Sequence, residues 1–279
     1  MKNIFAKGII AGMLVFPIYS CEEAASILGN GDTASGLKSA LSVGIDTAAS
    51  RLHKKDGYLK DVAVKIGVPD EAVTAFNAIN SLSNTAAGKA VLSAVGSNIN
   101  GSMEQTIDTL FNRAAEDAAP KSVGVFKDAI TGMSINDAEG ILFGADNAAT
   151  EYLKTNTYTG LQSAFHPAIT ASLNTVNIAG VTATDAWKTF ANYNNQLCDL
   201  INSTGGQAVM LGLQLADKST YNKVCSIQPT TNDLSDYVTG KALDGLFTKV
   251  TDQEYQIRYN VNARVNDVLK RVFGRLDNK

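Results

Sequence analysis

Leu37-Lys38-Ser39-Ala40-Leu41-Ser42-Val43-Gly44-Ile45-Asp46-Thr47-Ala48-Ala49-Ser50-Arg51-Leu52 decides the fold class. Leu37, Leu41, Ile45, Ala48 and Leu52 recur at threes and fours. That spacing puts one apolar stripe on a long helix, because 3.6 residues complete a turn. The same period returns downstream in Met103, Ile107, Leu110, Phe111 and Ala114, and in Trp187, Phe190, Leu197, Leu200 and Ile201. It recurs again in Leu234, Val238, Leu246 and Val250, and in Val265, Val268, Leu269, Val272 and Phe273. Only residues 58–68 alternate as a strand would, and that run is short. No set of regularly spaced strands and no fixed-period repeat appears. The expected fold is therefore all-α, a bundle-like single domain of about eight to eleven helices over 34–279. The Asn-rich stretch 176–232 is where a subdivision would fall.

Punctuation places the helix ends. Asp56-Gly57 makes a turn, and Pro69 with Asp70 and Glu71 opens a helix. Ser102 with Gln105, and Thr251 with Glu254, have capping-box spacing, while Ser134 or Asn136 caps a further helix that Gly144 ends. Pro120 starts one helix and Pro167 kinks another. Residues 81–101 read as a weak helix or a connection, Gly205-Gly206 as a helix stop, and 217–232 as loop.

The start of the chain carries an address. Lys2 and Lys7 precede an apolar run from Gly8 to Tyr19 that ends in Ile18-Tyr19-Ser20-Cys21. A basic start, a short apolar stretch and a small residue before cysteine form a bacterial lipoprotein signal. The run is too short for a transmembrane helix, which needs ~20 apolar residues. The expectation is cleavage after Ser20, lipid on Cys21, and a flexible tether over 21–33. Acyl chains on Cys21 would hold the protein on the membrane of the cell envelope. Glu22 and Glu23 follow in place of the aspartate that retains lipoproteins at the inner membrane, which favours the outer one. Asp32-Thr33-Ala34 resembles a bacterial O-glycan acceptor pattern, so Thr33 in the tether is a candidate acceptor; an ordinary loop threonine is the alternative.

Charge excludes one class of partner. The 24 Lys and Arg fall to 22 once Lys2 and Lys7 are removed, against 27 Asp and Glu, so the mature form carries −5. Nucleic-acid affinity rests on Lys and Arg neutralising phosphates, so no nucleic-acid partner is expected. With Cys21 acylated, Cys198 and Cys225 are left as a pair in an oxidising compartment, where a disulfide is expected. Two cysteines and the distant His53 and His166 lack metal-ligand spacing, and neither a metal nor a cofactor is expected.

Chemical motifs are sparse. There is no G-x-S-x-G elbow and no H-E-x-x-H helix. Gly29-Asn30-Gly31 with Ala34 imitates a dinucleotide fingerprint but follows no strand. His53 ends the first helix, where a cation suits the dipole, and His166 has no Ser/Asp framework. No catalytic residue is assigned. The densest polar constellation is Arg113 and Glu116, three apart on one helical face, followed by Asp137, Asp146, Thr150 and Glu151. Two readings stay open: capping and ion pairing between packed helices, or a polar pocket that binds a ligand or cation. Glu254 and Arg258, four apart, read either as an intrahelical pair or as an Arg clamp on an anionic ligand. The candidate ligand-binding set is thus Arg113, Glu116, Asp137, Thr150 and Arg258.

Gly36-Leu37-Lys38-Ser39-Ala40-Leu41, Asp56-Gly57-Tyr58-Leu59-Lys60-Asp61, Asn112-Arg113-Ala114-Ala115-Glu116 and Tyr237-Val238-Thr239-Gly240-Lys241, in that order, resemble domain-of-unknown-function family 4197. So do Asp137-Ala138-Glu139-Gly140, Ala148-Ala149-Thr150-Glu151-Tyr152, and the ending Leu269-Lys270-Arg271-Val272-Phe273-Gly274. The resemblance spans nearly the whole mature chain and implies an exported, helical bacterial envelope protein without naming an activity. The chain departs from the pattern between about 176 and 230, and at Asn260, where a short acidic-proline turn is expected. Three functions follow as readings: a lipid-anchored binding or scaffold protein with envelope protein partners, a small-molecule or lipid carrier with an interhelical pocket, or an enzyme using Arg113, Glu116, Asp137 or Arg258.

Overall fold

The computed structural model describes residues 30–96, 102–231 and 233–277. The fold is all-α, with one two-residue hairpin among the described residues. The helices are α1 (Asn30–His53), α2 (Asp70–Ser83), α3 (Ala86–Ala94), α4 (Ser102–Ala118), α5 (Ser122–Gly132), α6 (Ile135–Leu142), α7 (Ala148–Thr175), α8 (Ala183–Asn202), α9 (Thr204–Ala216), α10 (Lys218–Val224), α11 (Ser235–Tyr259) and α12 (Asp267–Phe273). Short 3-10 turns at Ala119–Lys121 and Val261–Ala263 join α4 to α5 and α11 to α12. The antiparallel pair β1 (Asn177–Ile178) and β2 (Val181–Thr182) turns the chain from α7 into α8.

The helices pack in two groups. In the larger, α1 contacts α4, α5, α6, α11 and α12, while α7 packs on α4, α5 and α11. The smaller sets α2 and α3 against α9 and α10, with α8 joining it to α4 and α7. A chain of aromatic rings crosses between the groups. Phe76 stacks on Phe190 at 4.1 Å, Phe190 meets Trp187 at 5.1 Å, and Trp187 meets Phe111 at 6.4 Å. Each ring buried this way contributes ~1.5–3 kcal/mol over leaving it in water. The buried apolar side chains of both groups form one contiguous cluster, and the stripe Leu37, Leu41, Ile45, Ala48 and Leu52 lies inside it.

Several sequence expectations change here. Residues 217–232 include α10, capped by the Asp217 side chain, which accepts from Thr220 N at 3.0 Å. Gly205 and Gly206 do not stop a helix but open α9 behind the Ser203 cap. Thr251 and Glu254 lie inside the unbroken α11 instead of starting a helix, with Thr251 Oγ1 donating back to Phe247 O at 3.0 Å. α7 runs through Pro167 as one helix; Pro167 and Ser163 are exposed, so the Ser163 carbonyl that loses an amide partner can reach water. The expected tether also ends early. α1 takes in residues 30–33, and Thr33 is only 2 % exposed, accepting from Arg275 Nη1 at 2.9 Å. A glycan acceptor must be reachable, and Thr33 is locked between the two ends of the fold. Cys21 lies outside the described residues.

The expected Cys198–Cys225 disulfide is absent: both thiols are free. Cys198 is buried on the core side of α8, and burial pushes its thiol up. Cys225 is exposed at the end of α10. The segment that the sequence leaves as loop is helical, and it carries one thiol to the surface while the other stays in the core.

Candidate functional site

Four of the five residues from which a site was expected, Arg113, Glu116, Thr150 and Arg258, fall into two separate clusters. The first is a polar ridge on α4. Asp108, Asn112 and Glu116 are spaced by four and share one face, which meets the segment 57–68. This segment is not the strand its alternation suggested. Tyr58, Val64, Ile66 and Val68 do turn inward while Val62 is 94 % exposed, but among the described residues no neighbouring strand receives the backbone. Helix side chains do so instead. Ile66 N donates to Asn112 Oδ1 at 2.9 Å, and Asn112 Nδ2 donates to Ile66 O at 2.7 Å, so one amide imitates a strand partner. Val68 N donates to Asp108 Oδ1 at 3.0 Å, and Tyr58 N to Glu116 Oε1 at 3.2 Å. Buried backbone groups need partners, and these polar residues supply them.

Arg113 closes the same cluster. Its guanidinium holds Glu116 Oε2 at 2.5 Å and Asp56 Oδ1 at 2.6 Å. Asp56 sits at φ 71 in the turn after α1, a conformation Asp accepts more readily than most residues. Hydrogen bonds from Lys60 and Arg113 hold its carboxyl down at about 2. Burial pulls Arg113 down, but the two carboxylates outweigh it and leave it raised. The His53 ring meets Glu116 O at 3.0 Å across the end of α1. Behind them, Tyr58 donates to Ala242 O at 2.8 Å, and burial raises its phenol far above the ordinary range. Gly245 lets that ring approach α11: a Cβ there would lie 2.7 Å from Tyr58 Cε1.

The second cluster joins α6, α7 and α11. Glu254 accepts from Ala149 N at 2.9 Å, Thr150 N at 2.8 Å and Thr150 Oγ1 at 2.8 Å. These amides are orphans of the first turn of α7, whose own cap residue Asn147 makes no capping bond. One turn along α11, Arg258 donates to Leu142 O at 3.0 Å and Ile141 O at 2.8 Å, the last two carbonyls of α6. Glu254 and Arg258 pair with each other at 2.8 Å, both almost fully buried. A single i,i+4 ion pair thus caps one helix end with a carboxylate and the other with a guanidinium, each charge matching the dipole it faces. Arg264 repeats the device, donating to Ile257 O and Arg258 O and pairing with Asp277.

The structure therefore brings Arg113 together with Glu116, and Thr150 together with Arg258. It does not bring Asp137 to either pair. Asp137 forms an exposed capping box with Ser134, whose hydroxyl bond holds its carboxyl below the ordinary range. Asp146 accepts from the Tyr259 hydroxyl, and His166 meets Asp236 at 3.3 Å on the surface. Among the described residues no group of three or more His, Cys, Asp or Glu could hold a metal ion, and no helix is long and apolar enough to cross a membrane.

Sequence reasoning missed one concavity lined by buried apolar side chains. It is a cleft of about 340 Å³ between the middle of α4, the end of α7, the start of α8 and the entry to α11. Buried Phe111, Leu173, Ala183, Trp187 and Leu234 line it, with exposed Asn174, Lys188 and Asp233 at its rim. Trp187 is fixed by donating Nε1–H to Thr231 O at 2.7 Å. Ser235 N donates to Asp233 Oδ1 at 2.8 Å; that bond holds the Asp233 carboxyl low, and His166 and Lys188 add to it. An apolar wall with a few fixed polar groups at the mouth is the general form of a small-molecule site. The helical stripe around Trp187 was legible, but the rim comes from 174, 188 and 233, which no local pattern connects.

The family described as "Protein of unknown function (DUF4197)" matches residues 27–274. No curated protein and no solved structure matches the chain.

Proposed function

The chain belongs to the DUF4197 family, and from that premise we propose that it is a lipid-anchored helical protein of the cell envelope that binds a small amphiphilic molecule in the Trp187 cleft. The observation that carries the binding role is the cleft itself: its volume lies at the lower end of the usual range for ligand sites, its wall is aromatic, and opposite charges stand at its mouth. The ligand has an apolar or aromatic body and a polar head that meets Lys188 and Asp233. The anchor rests on the Ile18-Tyr19-Ser20-Cys21 signal, and Glu22-Glu23 favours the outer membrane.

Trp187 is the sole tryptophan of the chain, so the cleft reports on itself. Energy transfer from Trp187 to anilinonaphthalene sulfonate measures occupancy by an aromatic anion. The expected result is one saturable site, weakened about tenfold by Lys188→Glu. No transfer, or transfer indifferent to Lys188→Glu, overturns the reading. In cells, labelled palmitate enters the wild type and not Cys21→Ala, and the wild type sediments with outer membranes.

A scaffold role is favoured by a different observation. Leu211 and Leu215, one turn apart on α9, are 55 % and 81 % exposed. Two leucines in water on one helical face offer a docking ridge to an envelope protein. Co-purification lost in Leu215→Glu and kept in Lys188→Glu would point there.

A further inference from the structure

A second concavity of about 610 Å³ lies where α11 ends against α1, and its chemistry differs from that of the Trp187 cleft. Arg51, Gln253, Tyr255, Gln256, Asn260 and Asn262 line it. Four of these six are carboxamides, each able to donate and accept. The charges are few: Arg51, and Asp252, which is itself paired with Lys249 at 3.0 Å. Tyr255 is 52 % exposed, and Tyr259 extends its ring surface at a centroid distance of 4.8 Å.

One of these carboxamides is closed off from the open groove. Gln253 is only 8 % exposed, yet its Nε2 has no hydrogen-bond partner among the described residues. A buried donor left unmade is unfavourable. The neighbouring amides are better arranged: Asn260 Nδ2 donates to Gln256 Oε1 at 3.0 Å, and Asn262 N donates to Asn260 Oδ1 at 3.0 Å. These bonds fix the rim and leave other amide valences for a ligand.

We propose that this groove is a carbohydrate-binding site for a neutral oligosaccharide. A phosphate or polyanion needs several cations, and the groove has Arg51 beside a paired carboxylate. A hydrocarbon would leave the carboxamides without partners. A sugar meets both demands. Its hydroxyls donate and accept in the manner of amides, and the C–H face of a pyranose packs on an exposed tyrosine ring through weak contacts of the C–H kind. The site is independent of the Trp187 cleft, since none of its lining residues is shared.

The test uses the full chain with cellohexaose, chitohexaose and maltohexaose as probes, by saturation-transfer NMR and calorimetry. At least one hexasaccharide binds with a Kd below about 1 mM, and Tyr255→Ala and Gln256→Ala each weaken it about tenfold. Both residues are exposed, so the thermal midpoint and dye binding at Trp187 stay as in the wild type. The proposal is overturned if none of the three sugars binds, or if binding survives Tyr255→Ala and Gln256→Ala.

Discussion

Replacing Asn112 with alanine tests the idea that a helix side chain stands in for a strand. Asn112 is fully buried and makes three bonds, two of them to the backbone of Ile66, itself buried. Alanine removes both partners of that residue. Asp108 O, the third partner, keeps its place in the α4 ladder. A buried donor or acceptor left unsatisfied costs ~1–3 kcal/mol, so two at Ile66 sum to about 2–6 kcal/mol. The better helix propensity of alanine returns ~0.5 kcal/mol. The expected net loss is about 2–5 kcal/mol, a midpoint drop of about 5–15 °C for a chain of this size. Guanidinium unfolding followed at Trp187 gives the free energy, and amide exchange at Ile66 locates it. Asn112→Asp sharpens the test. Its carboxylate still accepts from Ile66 N but sets a charge against Ile66 O and Asp108 O, so at neutral pH it is no better than alanine and recovers on acidification. A loss below about 1 kcal/mol for alanine, or unchanged exchange at Ile66, would refute the reasoning.

Arg258→Met strands the buried Glu254 charge and uncovers the Ile141 and Leu142 carbonyls; removing one partner of a buried pair costs ~3–5 kcal/mol, readable as a midpoint drop in thermal unfolding. The Asp56 carboxyl is lowered from 3.8 to about 2 by Lys60 and Arg113. A depressed carboxylate stabilises above its unfolded value, and that stability disappears as pH falls from about 4 to about 2. Asp56→Asn should therefore unfold more easily than wild type at pH 6, with the gap closing by pH 2; denaturant midpoints at both pH values check it, and a gap independent of pH would contradict the assignment.

What the sequence revealed and what it hid divide along contact distance. The α1 stripe is fully legible because its period is local, and all five of its residues are buried. A cap at Ser134, one of the two positions the spacing offers, is legible for the same reason, while the role of Asp137 as its capping-box partner is not. The Thr251–Glu254 spacing is just as good, yet Glu254 bonds to residues 104 and 105 positions away. Local spacing cannot say which of two carboxylates a distant helix end will claim. Residues 58–68 show the intermediate case. Their alternation correctly separates inward from outward side chains, but Asn112, 46 residues on from Ile66, replaces the strand partner that alternation implies. Arg113 and Glu116 could be paired from sequence, while the third member, Asp56, had only the Asp-Gly turn to announce it. The cleft rim has no local signal at all.

The bond between Arg275 and Thr33 joins residues 242 positions apart, and it makes completion of the fold a matter of timing. α1 is the hub of the larger helix group, but α11 and α12, which cover it, are the last helices of the chain. Gly36 sits so close to α12 that a Cβ would lie 2.1 Å from Val272. The first of the described helices must therefore wait for nearly the last residues before its apolar stripe is covered. Contacts this remote in sequence close slowly, since loop entropy is lost before they form. A nascent chain halted anywhere before α11 holds Leu37, Leu41 and Ile45 without their final neighbours. Completion of the native packing around α1 thus falls at the end of synthesis, when α11 and α12 have been made.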